Sequence, residues 1–350
     1  MATSLSKGSR FWLFVTLAAL IVGAVSLSLT RKEKVVQAET ARPDFDLQAH
    51  RGGRGLWPEN TLPAFARAVA LGVTTLELDI GMTKDGVVVV HHDRRLSPER
   101  TRGPDGTWIA EPGLLLRSLT FEELQMAEVG RVRAGSRSAE RFPEQQGLDG
   151  VRVPSLKSVI EQTEAQAPGR LFYNIETKIS PLAPEETASP EDMTAAVIDV
   201  LAETRILSRA TLQSFDWRTL AVAARLAPGM TRVFLSAEQS WLDNVGRGAA
   251  EPPAWANGHD VDAHGGSLPK TIRAAGGEIW SPFYRDLTAA ELAEAQNLGL
   301  RVIVWTVNEP ADMERLIGLG VDGIITDYPD RLRAVMAERG LALPPAFTAP

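Results

Sequence analysis

Two acidic side chains alternate with apolar ones in TLELDI, residues 75–80. Successive side chains of a β-strand point to opposite faces, so Glu77 and Asp79 share one face of a predicted strand. A third carboxylate, Glu176, shares a face with Lys178 in LFYNIETK, residues 171–178, where an ordinary ion pair is the alternative interpretation. Three carboxylates from two strands, in a chain without cysteine, form an oxygen-rich set suited to Mg²⁺ or Ca²⁺ rather than zinc. We therefore predict a divalent-cation site at Glu77, Asp79 and Glu176.

A histidine is brought toward these acids by the turn sequence KDGV, residues 84–87. Asp-Gly is typical of a tight reversal, and folding the chain about it pairs position 83 with 88, 81 with 90 and 79 with 92. His92 is thereby expected at the level of Asp79. His91 precedes it, and strand alternation favours His92 as the imidazole that faces the acids.

A second imidazole and a guanidinium stand together in AHRGGRGLWPENT, residues 49–61. His50 and Arg51 follow the predicted strand FDLQAH, and two glycines after them allow close approach of the backbone to a ligand. The planar fork of Arg51 matches a phosphate or carboxylate. Asn60 is assigned as the N-cap of the helix LPAFARAVALG. Glu59 is either an acid favoured by the helix dipole or a member of the site.

The elements that must position these residues are short apolar, β-branched runs that alternate with helical patterns from residue 45 onward. The runs are FDLQAH, TLELDI, VVVVHH, LFYNIETK, TLQSF, TRVFLS, EIWSPF, RVIVWTV and GIITD. This alternation predicts an α/β fold, a parallel sheet closed into a (β/α)8 TIM-type barrel over residues 45–339. Nine runs exceed eight strands, and TRVFLS or EIWSPF is the expected surplus.

Two long loops are expected at residues 93–150 and 236–270, and loops at the carboxyl ends of barrel strands build the pocket. The second loop contains NGHDVDAHGG with His259 and His264, whose spacing fits no standard metal pattern, so we interpret it as a solvated loop. Residues 340–350 are predicted to be a flexible tail.

Composition narrows the function classes. The chain has 37 Lys and Arg residues against 44 Asp and Glu residues, which gives a net charge of −7 without blocks of like charge. This composition argues against a protein that binds nucleic acid through its phosphates. The absence of cysteine excludes disulfides and thiolate nucleophiles.

Residues 11–29 are nineteen positions without a formal charge, long enough as a helix to cross a membrane. They predict a signal-anchor or signal peptide over residues 1–30, followed by a linker over 31–44. An uncleaved anchor and a signal removed after Val36-Gln37-Ala38 are both compatible with the pattern. Either predicts that the barrel is exported to the periplasmic or extracellular side.

The motifs in order along the chain resemble those of the glycerophosphodiester phosphodiesterases. The matching segments are HRG at 50–52, PENT at 58–61, ELD at 77–79, TKDG and VVHHD within 83–93, VPSL at 153–156, IETK at 175–178, QSF at 213–215, VWTVN at 304–308 and GVDGIITDYP at 320–329. They span about residues 46–335. The resemblance implies a barrel of the phospholipase C-like type and hydrolysis of glycerophosphodiesters to an alcohol and glycerol 3-phosphate.

The resemblance also implies roles for individual residues. It places the divalent cation, Mg²⁺ or Ca²⁺, on Glu77, Asp79 and Glu176, and makes His50 and His92 the general acid and base. The remaining positions it implicates are the phosphate-contacting Arg51 and Lys178 and a site glutamate at Glu59. Trp305, at the carboxyl end of the predicted strand RVIVWTVN, is expected on the glycerol side of the pocket, with packing within the barrel as the alternative interpretation.

Two other functions are compatible with the same residues. One is lysophospholipase D-type hydrolysis of lysophospholipids at the membrane, with residues 11–29 as tether. The other is a non-catalytic barrel that binds a phosphate ligand. No nucleic acid or protein partner is implied, and the expected partner is the small-molecule substrate.

Overall fold

The computed structural model describes residues 42–348, and eight parallel strands form a closed ring at its centre. The strands of the chain are β1 (Asp46–Ala49), β2 (Thr75–Met82), β3 (Val88–Val90), β4 (Phe172–Thr177), β5 (Ala210–Ser214), β6 (Thr231–Ser236), β7 (Glu238–Gln239), β8 (Leu242–Asp243), β9 (Ile279–Pro282), β10 (Arg301–Val304) and β11 (Gly323–Thr326). The parallel order is β1-β2-β4-β5-β6-β9-β10-β11, and β11 pairs with β1 to close the barrel. The predicted α/β TIM-type barrel is confirmed.

Of the helices in residues 42–348, eight cover the outside of the ring and two short ones lie within residues 93–150. They are α1 (Leu62–Leu71), α2 (Phe121–Leu124), α3 (Arg137–Arg141), α4 (Leu156–Gln166), α5 (Pro190–Glu203), α6 (Trp217–Leu226), α7 (Leu268–Ala274), α8 (Ala289–Asn297), α9 (Pro310–Leu319) and α10 (Pro329–Glu338). The apolar face of β2 packs into the layer between sheet and helices, where Leu76, Leu78 and Ile80 are fully buried. Period-two alternation therefore holds in β2, and its acidic face points into the barrel.

The surplus strand is β3, from the run VVVVHH, so the expectation that TRVFLS or EIWSPF would be surplus was wrong. Both of those segments are barrel strands, β6 and β9. β3 instead pairs antiparallel with β2, with Gly81 opposite Val89. A tight turn connects β2 directly to β3, so β3 folds back along the last residues of β2. It is not one of the eight strands of the ring.

The barrel interior has a polar half and an apolar half. Amides fill the half formed by β1, β2, β4 and β5, where Asn174 Nδ2 donates to Gln48 Oε1 at 2.8 Å and to Gln213 Oε1 at 2.9 Å. The half formed by β6, β9, β10 and β11 is filled by Val233, Ile279, Ile303 and Ile325. The cavity at the carboxyl ends of the strands is likewise lined by charged residues and by apolar ones.

The 93–150 segment contains α2 and α3 and has a small hydrophobic cluster of its own that includes Leu96, Leu116 and Leu124. The 236–270 segment contains the β7–β8 hairpin. The predicted tail contacts the barrel at least to Phe347, whose N–H donates to the Val69 carbonyl at 3.1 Å.

The predicted hydrophobic helix at residues 11–29 lies outside the described residues. Across residues 42–348, the helices are too short or too polar to cross a membrane.

Candidate active site

The three predicted carboxylates meet at one end of the barrel. Asp79 on β2 is the register partner of Glu176 on β4, and Glu77 lies on the same face two residues earlier. One carboxylate oxygen from each lies within 4.8 Å of the others. All three are buried, and Asp79 Oδ1 accepts no hydrogen bond, although Lys178 Nζ lies 3.3 Å away. Within residues 42–348 this is the one group of His, Asp and Glu side chains with such spacing.

The electrostatics of this cluster fit a divalent cation. Burial and then the neighbouring carboxylates of Asp79 and Glu176 raise the pKa of Glu77 well above its usual value. Burial likewise raises the pKa of Glu176. Carboxylates crowded without water repel each other, and an orphaned buried oxygen needs a partner. An oxygen-only set of this kind suits Mg²⁺ or Ca²⁺.

Two cationic side chains border the carboxylates. Arg51 Nε lies 3.1 Å from Asp79 Oδ2, and its Nη1 donates to Glu59 Oε1 at 2.9 Å. Burial opposes the charge of Arg51, but Asp79 and Glu59 outweigh it and raise its pKa. Lys178 Nζ pairs with Glu176 Oε1 at 2.5 Å. Glu59 therefore belongs to the cluster and holds Arg51 in place.

His50 stands directly after β1 in a short 3-10 turn, His50–Gly52. Its Nδ1 lies 2.6 Å from Asp327 Oδ1, and its Nε2 lies 3.9 Å from Glu77 Oε2. Asp327 also accepts from Arg54 Nε at 2.7 Å and from Asn308 Nδ2 at 2.8 Å. Burial, and next the Arg54 charge, lower the pKa of His50 to about 4, so its imidazole is neutral near pH 7.

His92 reaches the site by a different register from the predicted one. Position 83 lies opposite 87, so the turn has three loop residues and Asp79 lies opposite His91, whose N–H donates to the Asp79 carbonyl at 2.9 Å. β3 ends at Val90, so strand alternation does not govern the two histidines after it. His92 lines the cavity, and its Nδ1 lies 2.6 Å from Asp93 Oδ1. Burial and the charge of Arg51 lower the pKa of His92.

Asn60 has a different role from the predicted helix cap. The N-cap of α1 is Thr61, whose hydroxyl accepts from Ala64 N–H at 3.3 Å. Asn60 adopts φ +57, and its Nδ2 donates to Asp79 Oδ2 at 2.8 Å. The left-handed backbone of Asn60, just before the cap residue Thr61, directs its side-chain amide toward β2. Asn60 thereby helps to hold the Asp79 carboxylate in the cluster of acids.

Sequence reasoning also missed the roles of Gln213 and Asp327. Gln213 Nε2 donates to Glu77 Oε1 at 2.6 Å, and Asp327 holds His50. Both residues lie in motifs that carry the family resemblance, QSF and GIITD. Their position at the carboxyl ends of β5 and β11 was the available signal.

A cavity of about 940 Å³ opens above these groups. One wall carries arginines from residues 93–150. The opposite wall is apolar and comprises Phe215, Leu235, Trp241, Leu242, Phe283, Trp305 and Ile325. Trp305 packs edge-on against Phe215, with ring centroids 5.3 Å apart, and its Nε1 donates to the Ser281 carbonyl.

A TIM-type barrel with a carboxylate cluster, two neutral imidazoles and two cations around one cavity defines an acid–base hydrolase site for phosphate esters. The comparisons with known proteins agree with that class. A model of the glycerophosphoryl diester phosphodiesterase family matches residues 50–331. This chain belongs to the glycerophosphoryl diester phosphodiesterase family and is a phosphoric diester hydrolase.

Individual relatives cover most of the chain. YqiK of Bacillus subtilis, an uncharacterized protein, is 31% identical over 288 residues, which cover 82% of this chain and 97% of YqiK. A glycerophosphodiester phosphodiesterase of the same organism is 28% identical over 327 residues, covering 92% and 97%. A crystal structure from Silicibacter pomeroyi, assigned to the same enzyme family, has a TM-score of 0.76 at 35% identity and covers 85% and 95%.

Proposed function

We propose that this enzyme cleaves glycerophosphodiesters at a phosphorus atom held between His50 and His92, with a divalent cation on Glu77, Asp79 and Glu176. The observation that carries the proposal is that His50, His92, Glu77 and Glu176 line one cavity, and that Asp79 lies within 4.8 Å of the other two carboxylates. The bound cation, Mg²⁺ or Ca²⁺, supplies electrophilic polarisation of a phosphoryl oxygen. The products are an alcohol and glycerol 3-phosphate.

The cations of the chain itself also stabilise the reacting phosphate. Arg51 and Lys178 line the same cavity and are fixed by carboxylates beneath it. Held in this way, their positive charges need no reorganisation when negative charge grows on the phosphoryl oxygens. Their roles are binding and transition-state stabilisation.

Proton transfer falls to the two histidines. A carboxylate contacts Nδ1 of each imidazole, Asp327 for His50 and Asp93 for His92, which favours the tautomer with the proton on Nδ1 and leaves Nε2 free. One imidazole accepts at Nε2 the proton of the attacking hydroxyl, and the other, after taking up a proton at Nε2 from solvent, donates that proton to the oxygen of the leaving alcohol. The attacking hydroxyl is water or the 2-hydroxyl of the glycerol; in the second case water then opens a cyclic phosphate.

The test is alcohol release from glycerophosphocholine, glycerophosphoethanolamine and glycerophosphoinositol with Mg²⁺, Ca²⁺ or a chelator. We expect activity that the chelator abolishes and that Glu77→Gln removes while the fold, measured by circular dichroism, persists. Arg170→Gln is a matched control, because Arg170 is exposed and precedes β4 at the other end of the barrel. Full activity of Glu77→Gln would contradict the cation assignment.

A lysophospholipid is the second candidate substrate, and the apolar wall favours it. Trp241 is 58% exposed at the rim and packs edge-on against Phe283, with ring centroids 5.7 Å apart. An acyl chain leaving the cavity on this side would cover the exposed indole. Choline release from lysophosphatidylcholine, compared with glycerophosphocholine in parent and Trp241→Ala, separates the two candidates. A lysophospholipase D loses rate on the lipid alone when the indole is removed.

We also propose that the barrel acts outside the cytoplasm. The support is the uncharged segment 11–29, which precedes the barrel in the sequence. Cell fractionation of the full chain, with and without residues 1–30, tests this proposal. Cytoplasmic recovery of the full chain would contradict it.

A further inference from the structure

Five arginines line the cavity in addition to Arg51, and three of them are balanced by carboxylates. Arg54 pairs with Asp327 at 2.7 Å. Arg94 pairs with Glu186 at 2.6 Å, and Arg100 contacts Asp93. The remaining two, Arg137 and Arg141, make no ion pair within residues 42–348.

Arg137 and Arg141 occupy the two ends of α3. Residues four apart on a helix are neighbours, and like charges in this arrangement destabilise the helix. Burial and the nearby Arg54 charge lower the pKa of Arg141, although the Asp327 and Glu59 carboxylates act in the opposite direction. This short helix therefore places two like charges at the cavity mouth.

The scaffold of α3 holds these cations over the cavity. Phe142 is buried between two guanidinium groups, with Arg54 Cζ 4.9 Å and Arg141 Cζ 5.3 Å from its ring centroid. Glu99 accepts a hydrogen bond from the Ser138 N–H at 3.1 Å. Gln145 Nε2 donates to the Arg54 carbonyl at 2.7 Å, which ties the segment after α3 to the loop that carries His50.

We infer that Arg137 and Arg141 bind a second anionic group, a phosphate or carboxylate on the alcohol part of the substrate. This inference rests on the proposed function and names its substrate class: glycerophosphodiesters whose alcohol carries a negative charge of its own. Guanidinium groups bind such anions through paired, charge-assisted hydrogen bonds. The opposite, aromatic wall offers no cation, so the anionic alcohol lies on the α3 side of the phosphorus.

Two pairs of substrates isolate this group. Glycerophosphoinositol 4-phosphate differs from glycerophosphoinositol by one phosphate, and glycerophosphoserine differs from glycerophosphoethanolamine by one carboxylate. We expect kcat/KM to be at least about tenfold higher for the anionic member of each pair, the scale of one charge-assisted contact. In the double variant Arg137→Gln, Arg141→Gln the ratio falls to near one, whereas Arg170→Gln keeps the parent ratio.

The outcomes are distinguishable. If the enzyme hydrolyses all four substrates, but the two members of a pair have equal kcat/KM, this inference is overturned and the proposed function stands. A preference that persists in the double variant also overturns it. If the cation-loaded enzyme hydrolyses none of the four, the proposed function fails and the inference fails with it. Melting curves of the variants confirm that they are folded before rates are compared.

Discussion

Nδ1 of His50 lies 2.6 Å from Oδ1 of Asp327, and this contact joins the residue after the first barrel strand to the residue after the last. β1 and β11 are neighbours where the ring closes, so residues 277 positions apart become adjacent. Asp327 is fully buried, and Asn308 and Arg54 hold its carboxylate. The imidazole is thereby oriented toward the cavity before substrate binds.

Replacing Asp327 tests this orientation. In Asp327→Asn the amide no longer fixes the proton on Nδ1, so Nε2 loses its role in proton transfer. We expect kcat to fall about 100-fold or more with a smaller change in KM, as expected for a wrong tautomer. Steady-state rates over a range of pH measure the effect.

The control for this substitution is Asp312→Asn, on the outer helix α9, where the carboxylate pairs with Arg315 at 3.1 Å. It should retain parental rates. An Asp327→Asn enzyme with normal kcat and a lowered melting temperature would show a purely structural role for Asp327.

Binding of the cation should raise the thermal stability of the folded protein. A ligand that binds only the folded state at 100 times its Kd adds about 2.7 kcal/mol. We expect Mg²⁺ or Ca²⁺ to raise the melting temperature of the parent, and Glu77→Gln to lose that response. Because Glu77→Gln also removes one of three crowded negative charges, its cation-free form should melt above the cation-free parent. Equal cation responses in both proteins would refute the assignment of Glu77.

The lowered pKa of His50 predicts how stability depends on pH. A free histidine titrates near 6.5, whereas burial lowers the pKa of His50 to about 4, so the folded state binds this proton less readily than the unfolded chain. The contribution is present above pH 6.5 and is lost as pH falls through about 4, with a size on the order of 3 kcal/mol.

Melting curves between pH 7 and pH 4, in chelator, measure this effect. The parent should lose stability over that range, and His50→Gln should lose less. Parallel curves for the two proteins would contradict the burial argument. The Asp327 carboxylate, whose pKa is lowered by Arg54 and His50 against the effect of burial, acts in the same direction at more acidic pH.

Asn60 and Thr61 offer a matched pair, because adjacent residues have separate roles. Thr61→Ala removes the cap of α1 and should cost about 1 kcal/mol of unfolding free energy with activity retained. Asn60→Gly tolerates the positive φ but removes the hydrogen bond to Asp79, so activity should fall while stability changes little. Urea unfolding together with initial rates separates the two, and the reverse pattern would restore Asn60 as the cap.

The register of the β2–β3 hairpin differs from the one that the turn sequence predicts. Asp-Gly correctly marks the reversal, but three loop residues replace the predicted four, which shifts every pairing by one position. Asp85 in that loop accepts the backbone N–H of Phe121 at 3.0 Å, a contact with a segment 36 residues later. The turn geometry thus depends on the packing of residues 93–150.

The sequence by itself determined the barrel and the identities of the three carboxylates, the two histidines and the two cations at the centre of the site. Glu77 and Asp79 share a face because strand side chains alternate, and His50 follows a strand whose carboxyl end opens onto the pocket. Tertiary structure alone decided the pairings His50–Asp327 and Asn60–Asp79 and brought to the cavity two α3 arginines that make no ion pair with another residue of the 42–348 range. Periodicity is a property of neighbours in the chain, whereas these contacts join segments that only closure of the sheet and packing of the long loop bring within hydrogen-bonding distance.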